Sequence, residues 1–136
     1  MRNLIAQFFH AVLFSACVLC NLSCQEEKSN TLRFSGERAF EEVQQIVAYM
    51  PRDAGTPGGQ KAANHIAARL ETIGLRVTMD YFTDTTPEGL KSMVNVLGFL
   101  PGSSGHWIIL GSHFDTMPGI DTFQGANDSG SSTGVL

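Results

Sequence analysis

Residues 105–136 read GHWIILGSHFDTMPGIDTFQGANDSGSSTGVL, and this stretch decides the predicted fold. Its short apolar run at 106–110 contains β-branched residues and lies between two glycines, which is typical of a buried strand and too short for a buried helix. His113 follows where that strand should end. In open α/β sheets, ligands bind outside the carboxyl ends of the strands. The stretch therefore predicts a functional site at His113.

Two carboxylates accompany this histidine. Residues two apart on an extended segment point the same way, so Asp115 should share a side with His113. That arrangement suits a metal-binding imidazole whose tautomer is fixed by a neighbouring carboxylate. Asp128 precedes a run of Ser, Gly and Thr that becomes apolar at Val135, which predicts a loop that opens a helix. In a first helical turn, free N–H groups and the helix dipole would keep the Asp128 carboxylate ionised, as a metal ligand must be.

The strings GSHFD at 111–115 and GANDSG at 125–130 resemble the first two metal-site segments of metallopeptidase family 28. This family comprises zinc aminopeptidases, and its superfamily includes the glutaminyl-peptide cyclotransferases. The resemblance implies a site with one or two zinc ions, in which His113 binds zinc and Asp128 bridges two zincs or binds the only one. It implies that Asp115 is the catalytic-site residue that orients His113.

The resemblance also implies parts that follow later in the family: a catalytic Glu beside a ligand Glu, then an Asp and a His. A catalytic zinc takes about three protein ligands and keeps a position open. Because the sequence stops at Leu136, residues 36–136 are expected to be the N-terminal half of a catalytic domain, inactive alone.

The composition is that of an ordinary soluble protein with one modest domain. The chain has 136 residues and a formal net charge of -4, and its mean hydropathy is +0.01. There is no basic field that would attract nucleic acid, so nucleic-acid binding is not expected.

The N-terminus is predicted to be a lipoprotein-type signal peptide at 1–23, because a short positive start precedes a largely apolar stretch. Cys24 follows a small residue and precedes a charged segment, so it is the predicted lipidation site; Cys17 is the alternative, and a plain cleaved signal is another. The cysteine spacing that includes Cys20 could also indicate a metal cluster, a weaker interpretation because the residues between are apolar. Residues 24–35 would form a tether. The protein is thus expected to be exported to a bacterial cell envelope, with membrane contact only through the lipid anchor.

Between tether and site, the pattern predicts two helices and two strands. Apolar residues at three- and four-residue steps predict a helix from Gly36 to Met50 and a second at 60–73, ended by Gly74. Alternation predicts strands at 75–82 and 93–100, before the strand at 106–110. The expected fold class is α/β, with a mixed, largely parallel sheet and helices on both faces, truncated, as in zinc aminopeptidases.

Three smaller features of the sequence also carry information. Residues 52–59 form a loop by composition and resemble the Gly-Ser/Thr-Pro-Gly segment of family 28. The turn around Pro87 resembles that of the glutaminyl cyclase branch, although such a turn has an ordinary conformational reason. His65 is predicted to be a solvated histidine.

These features predict a zinc-dependent enzyme with a peptide substrate, acting at peptide N-termini by aminopeptidase-type amide hydrolysis. The first alternative is a glutaminyl-peptide cyclotransferase, which forms N-terminal pyroglutamate. A second is a non-catalytic envelope lipoprotein that binds a metal or ligand. A third is a serine hydrolase, because residues 130–134 fit G-x-S-x-G with Ser132 as nucleophile, although the residues before it do not form the strand that this motif requires.

Overall fold

The computed structural model describes residues 33–120 and 122–136. The predicted signal peptide, the cysteines at 17, 20 and 24, and most of the tether therefore lie outside the described residues. In the part that is described, no helix is both long and apolar enough to cross a membrane.

The first helix, α1 (Gly36–Val47), begins at Ser35, whose hydroxyl accepts a hydrogen bond from the Arg38 N–H at 3.3 Å. Such a cap satisfies one of the N–H groups that a helix start leaves free. The predicted apolar stripe is only partly buried: Ile46 is 2% exposed, whereas Phe40 is 61% exposed. The helix ends three residues earlier than the sequence predicted.

The second helix, α2 (Pro57–Thr72), begins at Thr56, which accepts a hydrogen bond from the Gly59 N–H at 3.1 Å. Proline at the first helical position costs nothing, because its missing N–H would have no partner there. Ala62 and Ala63 are fully buried. Gly74 follows the helix with a φ of +92°, which confirms the predicted left-handed end.

His65 of α2 is not the solvated histidine that the sequence predicted. Its Nε2 atom lies 3.1 Å from Oε2 of Glu42 on α1, and its Nδ1 atom lies 3.3 Å from the Tyr49 hydroxyl. Arg69 also donates to Glu42, at 2.7 Å. These side chains join the two helices, a contact that spacing along one helix could not reveal.

The helices are followed by an antiparallel hairpin of β1 (Arg76–Thr86) and β2 (Gly89–Phe99), which packs against α2. Both predicted strands are confirmed, and each is longer at the turn end than predicted. The added residues of β1 are mainly β-branched threonines, which favour extended backbone. Gly89 has a φ of +103° and closes the tight turn.

The predicted buried strand at 106–110 is not formed. These residues belong to no helix or strand, and Ile108 and Ile109 are 90% and 86% exposed. A strand requires a neighbouring backbone for its N–H and C=O groups, and the sheet of the described residues contains β1 and β2 alone. The predicted α/β character is thus observed only as helices beside a two-stranded antiparallel sheet, and the largely parallel sheet is absent from the described part.

The end of the chain packs against α1. A distorted π-type segment, Ala126–Ser131, leads into a short helix, α3 (Ser132–Val135). A Cβ atom on Gly134 would lie 2.6 Å from the carbonyl oxygen of Ala39. A Cβ on Gly130 would meet Val43 and Val47 at 3.5 Å. Glycines at these two positions therefore let the segment that carries Asp128 approach α1 closely.

Candidate metal centre

His113 lies between two carboxylates. Its Nδ1 atom is 3.1 Å from Oδ1 of Asp115, and its Nε2 atom is 2.8 Å from Oδ1 of Asp128. The structure therefore brings together all three residues that the sequence selected for the site. The side chains of His113 and Asp128 are 59% and 72% exposed, so a ligand can reach them.

Both contacts favour a protonated imidazole. Partial burial lowers the pKa of His113, but the hydrogen bonds and charges of Asp115 and Asp128 outweigh it, and the net pKa is raised above its ordinary value. When the imidazole is protonated, Nδ1–H donates to Asp115 and Nε2–H donates to Asp128. A cation at the position of that proton would meet one imidazole lone pair and one carboxylate oxygen.

The backbone conformation of Asp128 differs from the first helical turn that the sequence predicted. Its backbone has a φ of −117° and a ψ of 96°, so it is not in a helical turn, and the helix dipole does not explain its position. Gly125, with a φ of +57°, turns the chain three residues before it. The position of the Asp128 carboxylate is therefore set by an irregular backbone segment. The sequence pattern of a helix start does not predict such a segment.

Arg52 holds the two site segments together and was missed by the sequence analysis. It is 0% exposed. Its guanidinium donates to the carbonyl oxygens of Phe114 at 2.9 Å, Gln124 at 2.7 Å and Gly125 at 3.1 Å, with a longer bond to Ile46 at 3.5 Å. Burial lowers the pKa of Arg52, and the charge of Asp115 partly offsets this. The only hint in the sequence was that this arginine lies in the loop at 52–59, which resembles a family 28 segment.

The loop of Arg52 also contacts the site through Thr116, which is 5% exposed. The Thr116 hydroxyl donates to Oδ1 of Asp53 at 2.7 Å and accepts from the Arg52 N–H at 3.2 Å. Ser129 adds a weaker link, since its hydroxyl donates to the Asp115 carbonyl oxygen at 3.4 Å. The segment after His113 is thus fixed through main-chain and side-chain contacts.

The contacts of Ser132 do not match a serine hydrolase. Its hydroxyl donates to the Ser129 carbonyl oxygen at 3.0 Å and lies 2.6 Å from the Ser112 hydroxyl. A nucleophile elbow places serine on a sharp turn after a strand, with a basic partner. Here the flanking Gly130 and Gly134 are explained by their close packing against α1.

The donor set fits zinc but supplies only part of a site. Imidazole nitrogen and carboxylate oxygen are ordinary zinc ligands, and a catalytic zinc takes about three protein ligands. His113 and Asp128 can provide two, with Asp115 orienting the imidazole. Across 33–120 and 122–136, no group of three or more His, Cys, Asp or Glu side chains is placed to hold a metal.

Comparison with known proteins agrees with this arrangement. Residues 95–136, which contain His113, Asp115 and Asp128, match the model of peptidase family M28. The predicted resemblance to family M28 is confirmed. In sequence, this chain is 34% identical over 84 residues to the mouse (Mus musculus) glutaminyl-peptide cyclotransferase-like protein; the match covers 57% of this chain and 22% of that protein.

Solved structures share the fold. Glutaminyl cyclase from Fimbriiglobus ruber superposes with a TM-score of 0.68 at 28% identity, over 76% of this chain and 38% of that one. A leucine aminopeptidase precursor from Bacteroides thetaiotaomicron gives a TM-score of 0.63 at 26% identity, over 77% of this chain and 40% of that one. The chain thus spans well under half the length of these relatives.

Proposed function

We propose that this chain provides part of the active site of a zinc-dependent enzyme that acts on peptide N-termini. One observation carries the proposal: Nε2 of His113 faces Oδ1 of Asp128 at 2.8 Å while Nδ1 contacts Asp115. Two potential ligand atoms from separate segments thus lie within hydrogen-bonding distance of each other, and a second carboxylate contacts the imidazole. The match of residues 95–136 to family M28 supports this assignment.

The residues have distinct tasks in this proposal. His113 and Asp128 hold the metal, and Asp115 accepts the Nδ1–H so that the Nε2 lone pair is available. When bound, zinc would supply Lewis-acid polarisation of the amide carbonyl under attack. The number of zinc ions is left open, because two ligands are compatible with one ion or two.

Pyroglutamate formation is the first candidate reaction. The free amine of an N-terminal glutamine attacks its own side-chain amide carbon, a new C–N bond closes the ring, and ammonia leaves. This choice is supported by the mouse relative and by the Fimbriiglobus ruber structure, both of which carry cyclase names.

Aminopeptidase-type hydrolysis is the second candidate. In this reaction water attacks the first peptide bond and the N-terminal residue is released. The similarity to the Bacteroides thetaiotaomicron leucine aminopeptidase precursor supports it. His113 and Asp128 would serve both reactions in the same way, so these residues do not separate them.

The decisive experiment uses the protein expressed from its complete coding sequence and loaded with zinc. Peptides with N-terminal Gln and N-terminal Leu are incubated separately, and products are followed by mass spectrometry. Loss of ammonia from the Gln peptide alone supports the cyclase, and release of free Leu supports the aminopeptidase. Zinc binding without either product would overturn both and leave a metal-binding lipoprotein.

A matched pair of variants ties the activity to the site. His113→Ala should abolish activity and weaken zinc binding, whereas His106→Ala, an exposed histidine of the same region, should leave both unchanged. Equal loss in the two variants would contradict the proposed role of His113.

Export to a bacterial envelope with a lipid at Cys24 remains part of the proposal. The support is the order of charge, apolar stretch and cysteine in residues 1–24. Labelling cells with a radioactive fatty acid tests it: Cys24→Ser should lose the label and Cys17→Ser should keep it. The reverse result would move the anchor to Cys17.

A further inference from the structure

Arg52 is a buried cation whose side chain contacts main-chain carbonyl groups. Long charged side chains are rarely buried in full unless every donor has a partner. Here the guanidinium makes four hydrogen bonds, each to a carbonyl oxygen, over 2.7–3.5 Å. These hydrogen bonds therefore offset the free-energy cost of burying the charge of Arg52.

The carbonyl groups belong to both segments of the candidate metal centre. Phe114 lies between His113 and Asp115, and its carbonyl accepts from Nε of Arg52. Gln124 and Gly125 precede Asp128, and their carbonyls accept from the two Nη atoms. One planar group thus spans the two segments that supply the ligands.

We propose that Arg52 is a positioning residue of the metal centre, whose guanidinium sets the distance between the segment of His113 and the segment of Asp128. The metal part of this inference rests on the proposed function. Arg52 does not touch the metal position; it acts through the carbonyl groups that it holds. The effect is on the geometry and affinity of the site.

The shape of the guanidinium explains why arginine is needed. It presents N–H donors in a rigid planar fork, whereas lysine has one ammonium at a single point. An ammonium could bond to Phe114 or to Gln124 and Gly125, but it could not fix the spacing of all three. Arg52→Lys keeps the charge and removes the fork, so it separates positioning from simple charge burial.

Gly125 shows how closely the fork fits. A Cβ atom at this position would lie 2.9 Å from Nη2 of Arg52, 2.7 Å from Cγ2 of Thr116 and 2.6 Å from the Asp128 carbonyl oxygen. Any side chain there would require one or more of these three groups to move, and the guanidinium is one of them. Gly125→Ala therefore perturbs the same contact from the carbonyl side.

The test compares Arg52→Lys with Arg76→Lys in the protein expressed from its complete coding sequence. Arg76 is an exposed arginine that stacks on Phe99, with its guanidinium carbon 4.7 Å from the ring centre. Hydrogen exchange of the metal-free protein and zinc affinity by chelator competition are measured on each. Arg52→Lys should speed exchange at residues 113–116 and 124–130 but not in the hairpin, and should weaken zinc binding about 10- to 100-fold. Arg76→Lys should change neither.

A folded Arg52→Lys protein with wild-type zinc affinity and uniform exchange would overturn the proposal, because Arg52 would then only stabilise the fold. If the wild-type protein binds no zinc, the proposed function fails, and the local exchange pattern alone decides whether Arg52 positions the segments. If Arg52→Lys does not fold, Gly125→Ala takes its place. Its control is Gly119→Ala, which also has a positive φ, +81°, but open space around the Cβ. Equal exchange and zinc affinity in these two glycine variants would also overturn the proposal.

Discussion

Nε2 of His113 lies 2.8 Å from Oδ1 of Asp128, although the two residues come from separate segments. Neither residue lies in a regular helix or strand. Both segments contact the Arg52 loop, and the segment of Asp128 also packs against α1. The site is therefore a product of packing between loops, and changes to its support should alter it even where its ligands are kept.

Asp115→Asn should weaken zinc binding about 10- to 100-fold, because the partner that fixes the His113 tautomer becomes a poorer acceptor. The 3.1 Å contact with Nδ1 is the one that is changed. Zinc affinity by chelator competition measures the effect. Asp84→Asn, at an exposed position of the hairpin, is the matched control. An unchanged affinity in Asp115→Asn would show that Asp115 does not orient the ligand.

Zinc binding should weaken as the pH falls through the pKa of His113. That pKa is raised above 6.5, since partial burial lowers it less than the hydrogen bonds and charges of Asp115 and Asp128 raise it. Zinc must displace the proton on Nε2, so affinity should drop up to about tenfold per pH unit below the raised pKa. Zinc titrations at several pH values measure this, and a pH-independent affinity would contradict it.

The metal-free protein should show the opposite dependence. Because the pKa of His113 is raised on folding, its contribution to stability is fully present below pH 6.5 and is lost as the pH rises through the folded-state pKa. The effect should be small, since the His113 side chain is 59% exposed and solvent screens its charges. Urea unfolding across this range, with His113→Gln as reference, should show the slope disappear in the variant.

Gly58→Ala should destabilise the fold by about 1 to 3 kcal/mol. A Cβ at Gly58 would overlap the carbonyl oxygens of Pro51 and Tyr49, so the loop of Arg52 or the start of α2 would have to move. Gly102→Ala is the control, because a Cβ there has nothing within 4 Å. Urea unfolding of both variants measures the difference. Equal stability would show that the loop yields without cost.

Glu42→Ala should destabilise the packing of α1 on α2 by about 1 kcal/mol. Its carboxylate lies 3.1 Å from Nε2 of His65 and 2.6 Å from Nη2 of Arg69, and its side chain is 25% exposed. Glu41→Ala, the exposed neighbour, should have little effect. If thermal unfolding shows the same shift for both variants, the contacts of Glu42 do not contribute to stability.

Local pattern was sufficient for much of the chain. Both helices, the hairpin and the left-handed glycine after α2 follow from apolar periodicity, capping residues and turn chemistry, all of which act over a few neighbouring residues. The strand at 106–110 was predicted on the same grounds and is not formed. An apolar run indicates that a segment can be buried. A strand also needs a neighbouring strand whose backbone pairs with its N–H and C=O groups. The helical setting predicted for Asp128 failed because Gly125 and the irregular backbone after it interrupt the pattern.

The sequence by itself determined which residues form the candidate centre, because an imidazole and two carboxylates in the strings 111–115 and 125–130 carry the chemistry in their side chains. Only the tertiary structure decided that His113 contacts both carboxylates and that Arg52 joins the two segments. Those distances depend on contacts between residues far apart in the chain, which no local pattern encodes. A guanidinium can bind many carbonyl groups, so its partners are fixed only when the fold brings them to it.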